Sequence, residues 1–304
     1  MDSENVTNDN KNVDLPDVLN GNDVLNGNQN NNRQDTLNNI NNSNPIIQNS
    51  YVSNLGLPKN KFNIGHINLQ GMSSKFDELK LMLTSPDNNI AVMGISETKF
   101  NLNHKTEAFI INGYQVPFRC DRTENRGGGL AVFVKQGINC IRRLDLEDND
   151  IEILWIEIMP VKGKSFLVGS MYRPPESRVI WKEKFDSHIE KAQLEEKQII
   201  ILGDLNRDLL NSKINAEWLN FISSLGLKQL VKEPTRECTN SKTLIDHIYC
   251  NCDQNISHVN VPRIGISDHF AIFCTRKINF KEKTFSHNFI KYRSFKTFSE
   301  EAFI

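Results

Sequence analysis

Ile199-Ile200-Ile201-Leu202-Gly203-Asp204-Leu205-Asn206 decides how this chain is read. A short Ile/Leu run that ends at a glycine is a buried strand. The polar pair Asp204 and Asn206 then sits where the strand stops. The same pattern recurs along the chain. Ile90-Ala91-Val92-Met93-Gly94-Ile95 enters Ser96-Glu97, and Phe166-Leu167-Val168 leads to Tyr172-Arg173-Pro174-Pro175. Phe270-Ala271-Ile272-Phe273 begins directly after Ser267-Asp268-His269. A strand end is a rigid mount for a reacting group, so carboxylates, amides and one His delivered this way predict a single metal-dependent hydrolytic centre.

Working outward, Lys61–Asn68 reads as a first strand ending at the polar corner Asn68-Leu69-Gln70-Gly71, and Phe76, Leu79 and Leu83 fall at helical spacing before Pro86. Gly127-Gly128-Gly129 separates a charged loop from the strand Leu130–Val134, and further strands are expected at Ile151–Ile158 and Ser165–Tyr172. Trp181, Phe185 and Ile189 mark one helix; Trp218, Leu219, Ile222 and Leu225 mark another, stopped by Gly226. Strands near Thr243–Tyr249, Ile256–Val261 and Phe270–Thr275 close the domain. Most connectors are too short for a crossover helix, so hairpins dominate. The expected architecture is α/β: two mainly antiparallel sheets packed face to face, with helices outside.

The 304 residues divide unevenly. Residues 1–60 are crowded with Asn, as in Asn28-Gln29-Asn30-Asn31-Asn32, and carry no sustained apolar periodicity. Such a segment cannot bury enough surface to offset its ordering entropy, so it is expected to be a disordered tail. Residues 61–277 form the expected folded domain, and 278–304 an extension or the start of a linker. The net charge of −1 understates the basicity of the folded part, because the tail alone carries −4 and leaves roughly +3 for the rest. That balance permits a phosphodiester partner without requiring one. No stretch approaches a membrane span, and the Asn-rich tail resembles no targeting signal. The six cysteines have no zinc-knuckle or redox spacing. An intracellular protein with reduced thiols, no membrane partner and no small-molecule cofactor is expected.

Hydrolysis of a phosphate ester needs a divalent cation, a positioned water, a base and donors to the transition state. Magnesium selects carboxylate and water oxygens, and Glu97 at a strand terminus fits such a ligand. Asp204 and Asn206, alternating on an extended segment, share a face and can orient the attacking water; Gly203 allows close backbone approach. Asp268-His269 adds a carboxylate and a proton-transfer group, with Asp246 placed to orient His269. Each piece alone also has a bland reading: Asp-x-Asn as a turn or cap, Tyr172 as a packed aromatic, His66 and His247 as structural residues. Gly127–Gly129 precedes no helix, so a nucleotide fingerprint is not read there, and no His/Cys cluster has zinc spacing.

Taken in order, Asn68-Leu69-Gln70-Gly71, Ser96-Glu97-Thr98, Tyr172-Arg173-Pro174-Pro175, Gly203-Asp204-Leu205-Asn206, Ile245-Asp246-His247-Ile248 and Ser267-Asp268-His269 resemble the endonuclease/exonuclease/phosphatase superfamily over roughly Phe62–Thr275. The finer resemblance is to the apurinic-type endonuclease domain of LINE-like, non-LTR retrotransposons. It is carried by Arg126–Phe133, by Tyr172–Pro175, and by Pro234-Thr235-Arg236 with Thr243–Ile248; Lys291–Phe295 is similar to the segment that follows such domains. Gln70 departs from the Asp of repair-type relatives and matches the retrotransposon branch. The resemblance implies a four-layer α/β sandwich and a magnesium-dependent (or manganese-dependent) enzyme that nicks DNA to leave a 3′-hydroxyl, in the nucleus if genomic DNA is its substrate. It implies Asn68, Glu97 and Asp268 on the metal side, and Tyr172, Asp204, Asn206, Asp246 and His269 as catalytic. It also implies Arg173 and Thr235 as substrate contacts. A phosphatase of the same superfamily and a silent nucleic-acid-binding fragment stay open as alternatives, and the identity of the general base is not decided.

Overall fold

The computed structural model describes residues 54–122, 127–177, 180–211 and 213–279. Most of the Asn-rich segment, the C-terminal extension from residue 280, and Arg126 lie outside the described residues. The first strands are β1 (Lys61–Asn68), β2 (Ile90–Ser96), β3 (Phe118–Cys120) and β4 (Leu130–Val134), with helix α1 (Phe76–Thr84) between β1 and β2. Next come β5 (Cys140–Arg142), β6 (Glu152–Ile158), β7 (Phe166–Tyr172) and β8 (Gln198–Asp204), with α2 (Ile180–Gln193) between β7 and β8. After α3 (Ala216–Ser224) follow β9 (Lys228–Gln229), β10 (Arg236–Cys238), β11 (Ser241–Thr243), β12 (Asp246–Cys250), β13 (Ile256–Asn260) and β14 (Ile272–Asn279).

Among the described residues these strands build two six-stranded sheets, ordered β13-β14-β1-β2-β4-β3 and β5-β6-β7-β8-β12-β9, with β10-β11 as a separate hairpin. Each sheet holds one parallel pair, β1/β2 or β7/β8, joined through a helix. The pairings around them are antiparallel. The inner faces meet through Phe62, Ile64, Val92 and Val132 on one side and Phe166, Val168, Ile200 and Ile248 on the other. The Phe62 and Phe166 rings touch edge to face at 5.7 Å. Leu79, Met82 and Leu83 of α1 cover the outer face of the first sheet against Met93 and Phe273. On the other side Phe185 of α2 and Trp218 of α3 pack on Tyr249 of β12, whose hydroxyl accepts from Trp218 Nε1 at 2.9 Å. The result is the four-layer sandwich. Because both faces of β8 are covered, its sequence is a continuous Ile run and does not alternate. At Gly203 any side chain would collide with the Met171 carbonyl, so β7 and β8 come together only over glycine.

Three expectations need revision. The strand expected over Thr243–Tyr249 is two strands, β11 and β12. At the break, Leu244 and Ile245 direct their carbonyls to the amides of Leu209 and Leu205, and their own N–H groups donate to Asp208 Oδ1 and Thr235 Oγ1. β14 runs on past Thr275 to Asn279. Ordered packing also begins before residue 61. Leu55 and Leu57 are buried in the cluster outside the first sheet, and Leu55 is pinned by Asn88 Oδ1 at 2.8 Å and by Asn260 Nδ2 at 2.9 Å. Two isolated leucines in a polar segment have no periodicity to betray them.

Deleting residues 1–60 should therefore lower the melting temperature by roughly 5–15 °C relative to deleting residues 1–53, since it strips two buried leucines from the domain. Equal melting temperatures for the two truncations would remove that strap from the core. A second expectation concerns Thr235, whose hydroxyl oxygen accepts from the amides of Ile245 and Asp246 at 3.1 and 3.0 Å in a fully buried position. Thr235→Val keeps the shape and orphans both amides, and should cost about 2–4 kcal/mol in denaturant unfolding.

Candidate active site

The C-terminal ends of β1, β2, β7 and β8 and the N-terminal end of β12 converge. Register sets Asn68 beside Ser96, Tyr172 beside Asp204 and Asp204 beside Asp246. The two-residue alternation of a strand sends Asn68, Tyr172, Asp204 and Asp246 to the same inner face as Ile64, Val168, Ile200 and Ile248. The inner face is thus apolar for most of its length and polar at one end.

There the side chains join directly. Asn68 Nδ2 donates to Glu97 Oε1 at 3.0 Å and to Asp204 Oδ2 at 2.8 Å, while Asn68 Oδ1 accepts the Gln70 amide at 2.9 Å. The Tyr172 hydroxyl donates to Glu97 Oε1 at 3.2 Å. Lys99 Nζ stands 3.6 Å from Glu97 Oε2. Gln70, Glu97, Lys99 and Asn206 all have φ between 46° and 55°, a left-handed backbone that costs free energy for non-glycine residues and concentrates at functional sites.

On the opposite side Nδ1 of His269 lies 2.9 Å from Asp246 Oδ2 and 4.0 Å from Asp204 Oδ2. Burial alone would lower the His269 pKa, but the Asp246 carboxylate, with Asp204 and Asp268, outweighs it and holds the imidazolium up to about 9. Asp204 is pushed up to about 7 by burial and by the neighbouring Asp246 charge, against the pull of His269, the Asn206 amide and Asn68. Tyr172 is raised above its ordinary value by burial and by the Glu97 and Asp204 charges, so it stays a proton donor.

The remaining expected residues have other placements. Asn206 does not continue an extended segment with Asp204. The chain turns at its positive φ, its amide caps Asp204 Oδ1 at 2.8 Å, and its side-chain Nδ2 donates to the Arg173 carbonyl at 2.9 Å. Asp268 pairs with Arg236 at 2.7 Å. Burial would raise the Asp268 pKa, but the Arg236 hydrogen bond and the His269 charge carry it below the usual range. The two residues expected to touch substrate are both engaged in the framework. Arg173 Nη1 donates to the Leu205 carbonyl at 3.1 Å, and Thr235 has no exposed surface. His247 is structural, with Nε2 donating to the Arg207 carbonyl at 3.0 Å and Nδ1 accepting from the Tyr249 hydroxyl at 2.7 Å. His66 lies buried below the site. Sequence reasoning passed over three cations at the rim: Lys99, Arg236, and Arg122, whose guanidinium is 5.7 Å from the Tyr172 ring centre. Arg236 belongs to the quoted Pro234-Thr235-Arg236 stretch and Lys99 stands two residues from Glu97, and these are the signals that could have found them.

The donor set suits a divalent cation. Ligand atoms of Asp204, Asp246 and His269 lie within 4.8 Å of one another, and Glu97 shares the Asn68 amide with Asp204. Burial, and after it the crowding of Asp246 against Asp204, raises Asp204, and a cation would relieve the crowding. The carboxylate oxygens, with no thiol among them, favour a hard ion, while His269, held protonated by Asp246, would be a neighbour of the ion and not its ligand.

The solved structures that this chain resembles share the fold. The endonuclease domain of TRAS1, a telomere-specific non-LTR retrotransposon, is 16% identical with a TM-score of 0.56, over 72% of this chain and 100% of that domain. The catalytic domain of Xenopus laevis APE2 is 19% identical with a TM-score of 0.55, over 71% of this chain and 92% of that one. A mannosyl-6-phosphatase of Bacteroides thetaiotaomicron is 14% identical with a TM-score of 0.50, over 70% and 98%. No curated protein matches the chain significantly. No helix of the described residues is long and apolar enough to cross a membrane. The model of the Endonuclease/Exonuclease/phosphatase family matches residues 62–269, from the second residue of β1 to the histidine of the Asp246–His269 pair, and the chain belongs to that family.

Proposed function

We propose that this protein is a magnesium-dependent phosphodiesterase that nicks DNA and leaves a 3′-hydroxyl, of the kind encoded by non-LTR retrotransposons. The observation that carries the reading is the set of strand-end side chains joined across the two sheets, with a His269–Asp246 pair facing Asn68, Glu97 and Asp204. The motif order, the amide at Gln70 and the likeness to the TRAS1 domain support DNA as substrate, and genomic DNA would place the action in the nucleus.

Asn68 and Glu97 would hold the cation, magnesium or manganese, which when bound polarises the phosphoryl oxygens. Asp204, capped by the Asn206 amide, would orient the attacking water and accept its proton. Asp246 fixes Nδ1 of His269, leaving Nε2 of a cationic ring to donate to a phosphate oxygen as charge builds there. Tyr172, protonated throughout, would donate to the same phosphate. Asp268 would hold Arg236 at the rim, where a guanidinium can meet the DNA backbone. Supercoiled plasmid with magnesium tests the reading: relaxed circles are expected. Release of phosphate from inositol phosphates or sugar phosphates with intact plasmid would transfer the assignment to a phosphatase.

Glu97→Gln removes a charge and keeps the shape, so it should raise the magnesium concentration for half-maximal nicking with little change in melting temperature. An unchanged magnesium requirement would take Glu97 out of the metal site. His269→Ala and Asp246→Asn should each slow turnover by about a hundred- to ten-thousand-fold. The double variant should be little worse than His269→Ala alone, because Asp246 acts through the ring. Losses that multiply would show independent roles. DNA binding without cleavage should persist in all three.

A further inference from the structure

Beneath the hydrogen-bonded cluster the inner faces stay polar for one more layer. His66, two residues before Asn68, and Ser96 come from the first sheet; Ser170, two residues before Tyr172, comes from the second. All three are at most 3% exposed. Neither ring nitrogen of His66 has a hydrogen-bond partner in the protein, nor has Ser96 Oγ or Ser170 Oγ. Asp246 Oδ1 is buried and unpartnered in the same way, while its twin Oδ2 is engaged by His269.

These groups are neighbours. His66 lies opposite Gly94, and Asn68 opposite Ser96. A Cβ on Gly94 would come 2.5 Å from Ser170 Oγ and 3.3 Å from Cδ2 of the His66 ring, so glycine leaves the room into which both side chains project. The charges acting on that ring are those of Asp246 and His269. An uncharged imidazole offers one donor and one acceptor, each hydroxyl offers both, and a carboxylate oxygen only accepts. The set is complementary, yet no member hydrogen-bonds another. Leaving all these atoms dry would consume a large share of a domain's net stability. Polar groups that face one another without bonding directly are the setting in which buried water is a fixed part of a fold.

We propose that His66, with Ser96 and Ser170, holds ordered water between the sheets that donates to Asp246 Oδ1, making His66 a positioning residue for the Asp246–His269 pair. A carboxylate bonded through both oxygens is held against rotation, and the imidazole it carries then keeps one aim. The kinetic consequence rests on the role given to that pair above, whereas the hydration does not.

The test has two arms. High-resolution crystal structures of the wild type and of His66→Phe read the water itself. A water within hydrogen-bond distance of both Asp246 Oδ1 and a His66 nitrogen is expected in the wild type and its loss in the variant; a direct His66–Asp246 bond or a dry layer would overturn the proposal. Nicking kinetics read the consequence. His66→Phe should lower kcat by roughly ten- to a hundred-fold with KM nearly unchanged, and His66→Gln, which can still bind water, should restore most of it. Ser170→Ala removes one water partner with little risk to folding and should lower kcat in the same direction, by less. Unchanged kcat in both His66→Phe and Ser170→Ala would also overturn it. A wild type that holds the water and nicks nothing would discard the nuclease reading and leave the hydrated layer standing.

Discussion

One carboxamide nitrogen joins the two sheets where the chemistry is expected. Asn68 Nδ2 reaches Glu97, just beyond β2 in its own sheet, and Asp204, at the end of β8 in the facing one. The same amide's oxygen fixes the Gln70 backbone, so the group cannot flip without losing a bond. Much of the site's geometry hangs on that bridge. It sets the separation of two carboxylates that would otherwise repel, and it ties the β1–α1 corner to the loop after β2. The Gly71 and Met72 amides reinforce the tie by donating to the Glu97 and Thr98 carbonyls at 2.8 and 3.1 Å.

Electrostatics follows from that closeness. Asp204 and Asp246 are essentially without solvent contact, so each feels the other's charge with little screening. His269 absorbs part of the excess by staying protonated, and Asn68 and the Asn206 amide absorb a little more. Burial first, and then what is left of the Asp246 charge, push Asp204 upward. A site so arranged favours any cation that can enter, and it would be poorly stable with its carboxylates all ionised and bare. The left-handed residues at the rim tell the same story in backbone terms: the surrounding sandwich is rigid enough to hold Glu97 and Asn206 in conformations they would not choose.

How far this was legible from sequence depends on the kind of signal. Buried strands and the two crossover helices were readable because β-branched runs and helical spacing are local: β1, α1 and β4 fall where the residues put them. That Asn68, Glu97, Tyr172, Asp204 and Asp246 come together was readable because they stand at or next to the ends of such strands. Short strands such as β3, β5 and β9 were not, since two or three residues carry no periodicity. The break between β11 and β12 was hidden in an unbroken polar-to-apolar stretch, because it is caused by distant partners, Asp208 and Thr235. Thr235 and Arg173 were expected as substrate contacts from the resemblance, and the framework hydrogen bonds they make come from partners that no local pattern announces. Proximity to a motif says that a residue is near the site, and only the hydrogen-bond pattern says which way it faces. The polar layer around His66 and Ser170 was invisible, because it is assembled from positions in different sheets, more than a hundred residues apart in the chain.

β1 and β14, the first and last described strands, lie side by side in the interior of one sheet, paired from Lys61 with Asn279 to His66 with Ile272 with a register shift after Lys61. They are locked by a buried hydrogen bond from Thr275 to Asn63 at 2.7 Å. During synthesis β1 must therefore wait, with one edge open, until nearly the whole domain has left the ribosome. His269, on the approach to β14, arrives just as late. A nascent or prematurely terminated chain thus has an exposed strand edge that invites chaperones or aggregation, but it lacks the histidine of its site. The topology brings the candidate site together only in the finished domain.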